Sequence, residues 1–171
     1  LSFKKKAFDH PLLAYYNINS LRNKIVDIEL VVNKCMPDLL VLAETKLDNS
    51  FPKAQFLLEN YHLPTRRDKN KYGGGIIEYI RKGLIRRGMP EFELNSFESI
   101  CSELTVNKKK WAILSVYRTP KYSNLRIFFD ELHISLGKLS TKYDNIVVMG
   151  DINIDGDKGA MLGNNLLSIL M

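Results

Sequence analysis

The run Ile146-Val147-Val148-Met149-Gly150 ends in Asp151 and, two residues later, Asn153. A β-branched stretch of that length reads as a buried strand that delivers polar groups at its C-terminal end. In extended chain, positions i and i+2 share a face, which would aim Asp151 and Asn153 at one spot. An acid beside a neutral amide suits a water or a metal-bound phosphate better than a structural salt bridge. Asp151 could orient or deprotonate the water, and Asn153 could hold a phosphate oxygen. Gly, Asp and Asn also serve plain turns, so this stretch alone leaves both readings open. Three further apolar runs end in the same fashion. Residues 12–16 run into Asn17-Ile18-Asn19, Leu39–Ala43 runs into Glu44, and residues 111–116 run into Tyr117. Glu44 is the lone strand-end carboxylate that suits Mg²⁺ held alongside substrate phosphates. Tyr117 could donate to a non-bridging phosphate oxygen.

Positioning these groups requires strands that end together. Ser20 can cap a helix whose apolar positions are Leu21, Ile25, Ile28 and Val32. Pro37 stops it before the strand at Leu39, so strand, helix and strand form a crossover on one sheet. Residues 46–72 are polar and irregular. Gly73-Gly74-Gly75 lacks the Lys-Ser/Thr of a P-loop and the spacing of a dinucleotide site. These glycines instead let the backbone bend or approach a neighbour before a strand over 76–80. Residues 99–106 and 111–116 form a hairpin through Asn107-Lys108-Lys109-Lys110. Ser123 can cap a helix with Leu125, Phe128, Phe129, Leu132, Leu136 and Leu139 on a wide apolar face, and His133 falls outside that face in solvent. The last fifteen or so residues read as the start of another loop and helix. No internal repeat is visible.

At 171 residues, 45% of them hydrophobic, the chain fits one globular domain over 1–171 and excludes a disordered segment. Cys35 and Cys101 lack metal-ligand spacing and both sit in apolar sequence, which predicts reduced core thiols and an intracellular protein. No signal peptide or membrane-length apolar run is present, so no membrane is expected. The chain opens on Leu1 and closes in an apolar stretch, as a fragment would. Of a net charge of +6, all resides between Pro64 and Pro90, in Arg66, Arg67, Lys69, Lys71, Arg81, Lys82, Arg86 and Arg87 against Asp68 and Glu78. A local basic stripe is the footprint of a phosphate-backbone binder, here Arg66, Arg67, Lys69 and Lys71 first.

Tyr16-Asn17-Ile18-Asn19-Ser20-Leu21-Arg22, Ala43-Glu44-Thr45, Tyr117-Arg118-Thr119-Pro120 and Gly150-Asp151-Ile152-Asn153 stand in the order and spacing of one family. The chain resembles the endonuclease/exonuclease/phosphatase superfamily, the DNase-I-like fold. With Arg67-Asp68 ahead of Gly73-Gly74-Gly75-Ile76, it is most similar to the apurinic-type endonuclease domain of non-LTR retrotransposons. The resemblance runs over residues 12–156. It implies an α+β four-layer sandwich of two mixed β-sheets flanked by helices, lacking the C-terminal strands. It also implies a divalent metal (Mg²⁺ or Mn²⁺), phosphodiester hydrolysis on DNA, a reverse transcriptase in the full-length protein, and a nuclear location. By position, Glu44 resembles the metal carboxylate, Asn17 the active-site asparagine and Tyr117 the phosphate-contacting tyrosine. Asp151 and Asn153 resemble the water-activating pair, and Asn19 falls where many relatives place an aspartate near the metal. The family closes on an Asp-His pair that none of His10, His62 and His133 matches. Low activity or none is therefore expected of this chain. A non-catalytic nucleic-acid-binding remnant is the alternative, and a small-molecule phosphatase a third reading.

Overall fold

The computed structural model describes residues 9–120 and 125–153. Ser123 and the expected terminal loop and helix lie outside the described residues. Strands β1 (Leu13–Asn17) and β2 (Leu39–Ala43) pair in parallel, joined by helix α1 (Ile25–Cys35). The crossover follows from the apolar spacing: Ile28 and Val32 are buried against Leu40, Leu42, Ile77 and Tyr79. Ser20 does not cap α1. Its φ of 82° is left-handed, and its N–H donates to the Glu44 carbonyl at 2.7 Å, which ties the segment to the end of β2. The helix therefore starts a turn later, and it ends as expected, with Met36 left-handed just before Pro37. Strand β3 (Thr65–Arg67) and strand β4 (Ile76–Ile80) complete a sheet of order β1-β2-β4-β3.

The second sheet has the order β5-β6-β7-β8, built from β5 (Ile85–Gly88), β6 (Glu98–Val106), β7 (Lys109–Tyr117) and β8 (Ile146–Asp151). The β6–β7 hairpin closes more tightly than expected. Asn107 and Lys108 both take positive φ, 48° and 64°, the backbone of a two-residue hairpin turn, so both strands run longer. Helix α2 (Leu125–Ser140) carries the chain from β7 to its parallel neighbour β8. Phe128, Phe129, Leu132 and Leu139 of α2 pack on Cys101, Ala112, Leu114 and Val116, while His133 is exposed, as expected. Between the sheets, Val41, Ile76 and Ile80 meet Ile100, Leu104 and Ile113. The order of layers is thus α1, sheet, sheet, α2.

Two sequence expectations change here. Cys101 is buried, but Cys35 is exposed: it shares the helical face of Ile28 and Val32, yet it is the last residue of α1, where the chain turns off at the left-handed Met36. The basic segment is also no single stripe. It is divided among β3, the end of β4 and the edge strand β5, and most of its cations are paired. Arg81 pairs with Asp38, Arg87 lies 3.5 Å from Glu103, and Arg66 lies 2.9 Å from Asp68.

Strand alternation puts Glu78 of β4 between the sheets, fully buried, where its Oε1 accepts from the Ser102 hydroxyl and its Oε2 has no hydrogen-bond partner among the described residues. Burial pushes its carboxyl up to about 7, against the opposing hydrogen bond from Ser102. The folded state thus keeps the proton that the unfolded chain sheds at ordinary carboxylate pH. That advantage is complete below the unfolded pKa and is lost as pH rises to about 7, a swing of about 3 kcal/mol. Glu78→Gln is expected to raise the urea midpoint at pH 8 and leave it nearly unchanged at pH 4.5. Equal shifts at both pH values would show that Glu78 is already charged in the fold.

Candidate active site

Both crossovers bring parallel strand ends to the same side, and stacking of the sheets lets those ends face each other. In register, Asn17 lies beside Ala43, and Tyr117 beside Asp151. The first residue past β2 is Glu44. Its Oε1 accepts from the Tyr117 hydroxyl at 2.9 Å and from Asn17 Nδ2 at 3.1 Å. Asn17 Nδ2 also reaches Asp151 Oδ2 at 3.4 Å, which joins the two sheets through side chains. Glu44 itself has a left-handed φ of 54°, a strained backbone for a residue with a Cβ. The glycines hold it there: the N–H groups of Thr45 and Lys46 donate to the carbonyls of Gly75 and Gly74. A Cβ on Gly75 would sit 2.4 Å from Thr45 Oγ1. The glycines thus permit close approach, as the sequence implied.

Burial, the bond to Glu44 and the charge of Glu44 all raise the Tyr117 pKa, so the phenol stays a neutral donor. Tyr15, two residues before Asn17 on the same face of β1, is raised by burial and then by Asp151 and Glu44. Its hydroxyl is buried and has no partner among the described residues.

Asn153 and Asn19 are placed differently from expectation. Past β8 the chain turns, and Asn153 has a φ of 48°, which ends the alternation that would have aligned it with Asp151. Its N–H donates to Asp151 Oδ1 at 2.9 Å and its Nδ2 to the Arg118 carbonyl at 2.7 Å. Asn153 therefore shapes the turn around Asp151. Asn19, expected beside the metal, accepts at Oδ1 from Lys46 Nζ, and Lys24 Nζ donates to the carbonyls of Ile18 and Asn19. An ammonium on that amide opposes a cation ligand there.

Of the expected DNA contacts, Arg66 is closed off: its side chain is 7% exposed, paired with Asp68 and set near the Phe56 ring. Arg67 is about half exposed and paired with Glu93, and Lys69 lies 3.1 Å from Glu98. Lys71 and Tyr72 are exposed together, with the ammonium 5.3 Å from the ring centroid. A polar cleft of about 480 Å³, lined by Arg67, Lys69, Glu93 and Glu98, opens on this side. Sequence reading gave no role to Arg118, inside one motif, or to Tyr15, just ahead of another.

No group of three or more His, Cys, Asp or Glu residues that could cage a metal exists among the described residues. The described residues thus offer no closed protein cage. Their donor set does fit Mg²⁺, which keeps several waters and takes one or two carboxylates plus substrate phosphate. Glu44 Oε2 accepts from no described residue and is the natural ligand atom.

Residues 14–165 match the Endonuclease/Exonuclease/phosphatase family. The chain belongs to this family. Among family relatives, exodeoxyribonuclease III of Haemophilus influenzae is 28% identical over 151 residues, 81% of this chain and 56% of that protein. The chain thus spans about half the length of this curated relative. The fold matches a 3′ phosphatase, NExo, from Neisseria, bound to a product DNA hairpin. That match has a TM-score of 0.66 at 21% identity and covers 94% of this chain and 71% of that one. It also matches the endonuclease domain of TRAS1, a telomere-specific non-LTR retrotransposon, with a TM-score of 0.68 at 12% identity and the same coverage, 94% and 71%. Two mixed sheets of four strands make this the DNase-I-like α+β fold of the family.

Proposed function

We propose that this domain is a Mg²⁺-dependent DNA endonuclease, the target-nicking part of a non-LTR retrotransposon protein. The observation that carries the reading is the Asn17 amide shared between Glu44 and Asp151, with Tyr117 on the same Glu44 oxygen. Such a constellation suits phosphodiester hydrolysis. Glu44 Oε2 would hold Mg²⁺ or Mn²⁺, which supplies charge stabilisation to a phosphate oxygen when bound. Asp151 takes the proton of a water whose oxygen forms the new P–O bond as the ester P–O bond breaks. The alkoxide that leaves is protonated from solvent. Tyr117 and Asn17 turn their donors to the phosphate oxygens as negative charge builds on them.

DNA as substrate, a partner reverse transcriptase and nuclear action are part of the same proposal. DNA as substrate is supported by the exposed Lys71 and Tyr72 beside Arg67 and Lys69, while the reverse transcriptase and nuclear action rest on the retrotransposon role alone, suggested by Arg67-Asp68 ahead of the glycines and the likeness to the TRAS1 domain. The ion pairs on Arg66, Arg67 and Lys69 leave less basic charge for phosphates in either reading, and it is the convergence of Tyr117 and Asn17 on Glu44 that favours an enzyme over a remnant that only binds nucleic acid.

Plasmid nicking with and without Mg²⁺, run beside Glu44→Ala and Asp151→Ala, tests the proposal. Metal-dependent nicking lost in both variants supports it. Absence of nicking by folded wild-type protein turns the reading to the remnant that only binds nucleic acid. Tyr117→Phe is expected to lower the nicking rate about 100-fold at unchanged fold, the usual cost of one transition-state donor. A rate within about twofold of wild type would confine Tyr117 to orienting Glu44.

A further inference from the structure

Arg118 directly follows Tyr117 at the end of β7, and only 5% of it is exposed. Three of its donors meet the end of β8 and the turn that follows. The backbone N–H donates to the Asp151 carbonyl at 2.9 Å, Nε to the Ile152 carbonyl at 2.7 Å and Nη2 to the Asn153 carbonyl at 2.6 Å. Asn153 Nδ2 returns a bond to the Arg118 carbonyl at 2.7 Å, and the Asn153 N–H holds Asp151 Oδ1 at 2.9 Å. These bonds form a closed ring: guanidinium to turn carbonyls, turn N–H to carboxylate, turn amide back to the arginine backbone.

Burying a guanidinium is costly, and here its planar fork is turned to backbone carbonyls of the turn. The result is geometric. With Oδ1 of Asp151 occupied by the Asn153 N–H, the carboxylate cannot rotate freely, and Oδ2 is left toward Asn17. We propose that Arg118 is a positioning residue that sets the aim of the Asp151 carboxylate by holding the 151–153 turn. This rests on the reading of Asp151 as the group that handles the attacking water. The fork matters here as well as the charge. A lysine ammonium brings charge to the same place, but it has no planar pair of donors at fixed spacing for two successive carbonyls.

The test compares wild type, Arg118→Lys and Arg118→Gln in the full chain, with two measurements. The first is amide hydrogen exchange at Asn153, by NMR, without metal or DNA. The second is nicking of a DNA duplex with Mg²⁺, resolved into kcat and KM. Exchange at the Asn153 N–H is expected to quicken about tenfold in Arg118→Lys. With it, kcat should fall about tenfold in Arg118→Lys and about 100-fold in Arg118→Gln, with KM within about twofold, the pattern of a misplaced catalytic group. If Arg118→Gln does not fold, Arg118→Lys, which keeps the charge, decides alone. Unchanged Asn153 exchange and unchanged kcat in Arg118→Lys overturn the proposal. A loss carried by KM instead also overturns it, because Arg118 would then be acting on DNA. If folded wild-type protein does not nick DNA, the endonuclease reading falls, and the exchange measurement still shows whether Arg118 holds the turn.

Discussion

Glu44→Gln is expected to lower metal-dependent DNA nicking by about three orders of magnitude while leaving the fold intact. The two side chains are nearly the same shape. The amide oxygen can still accept from Tyr117 and Asn17, which keeps the side-chain geometry of the centre. What disappears is the charge that would neutralise a divalent cation, and a hard cation with few protein ligands depends on it strongly. Titrating Mg²⁺ in single-turnover nicking checks this. The variant should need a far higher concentration of metal and still fall short of the wild-type rate. A normal rate at ordinary Mg²⁺ would mean that the cation is held elsewhere. Removing the charge of Glu44 also removes one cause of the raised Tyr117 pKa, so the phenol should titrate lower in the variant, a change readable by ultraviolet absorbance.

Gly150→Ala is the largest structural effect expected of a single methyl group at any described glycine. Gly150 has a φ of 150°, and a Cβ built on it would lie 1.8 Å from the Val116 carbonyl oxygen. Val116 is the residue paired with Gly150 across β7 and β8, so the obstacle is backbone and cannot rotate away. Either the end of β8 moves off β7 or both strands distort. Backbone strain and overpacking together put the cost at about 4 kcal/mol, a large part of a small domain's stability. Urea denaturation should show a midpoint lowered accordingly, and Asp151, one residue on, should lose its place opposite Asn17. A midpoint equal to wild type would show that the β7–β8 ladder tolerates a shift there.

The sequence was legible where periodicity and burial agree. Ile28 and Val32 on α1, Phe128 and Leu132 on α2, and the apolar runs of β2 and β7 announce themselves, and the strand-end residues Asn17, Glu44, Tyr117 and Asp151 followed from them. Strands β3 and β5 did not, because Thr-Arg-Arg and Ile-Arg-Arg-Gly have no apolar alternation. They are edge strands held by backbone pairing, and a charged edge is ordinary protection against further pairing. Ser20 and Asn153 went astray for one reason. Both leave extended or helical geometry for left-handed φ to satisfy hydrogen bonds to residues distant in sequence, Glu44 in one case and Arg118 in the other. Arg66 illustrates the limit of counting charge. Its partner Asp68 was visible two residues away, but its closure beside Phe56 was not.

The bond between Asn17 and Asp151 joins residues 134 positions apart, one from each sheet. Neither sheet alone owns a working half of the chemistry, since Glu44 and Asn17 are made early in the chain and Tyr117 and Asp151 late. On the proposed endonuclease reading, cleavage is therefore a clock for the docking of the two sheets. During refolding, helical and strand signals can return as each crossover closes, but hydrolysis can return only when the long-range pairing is complete, the slowest kind of step. On that reading a nascent chain with only its first sheet formed lacks Tyr117 and Asp151, and any cutting waits for the finished fold.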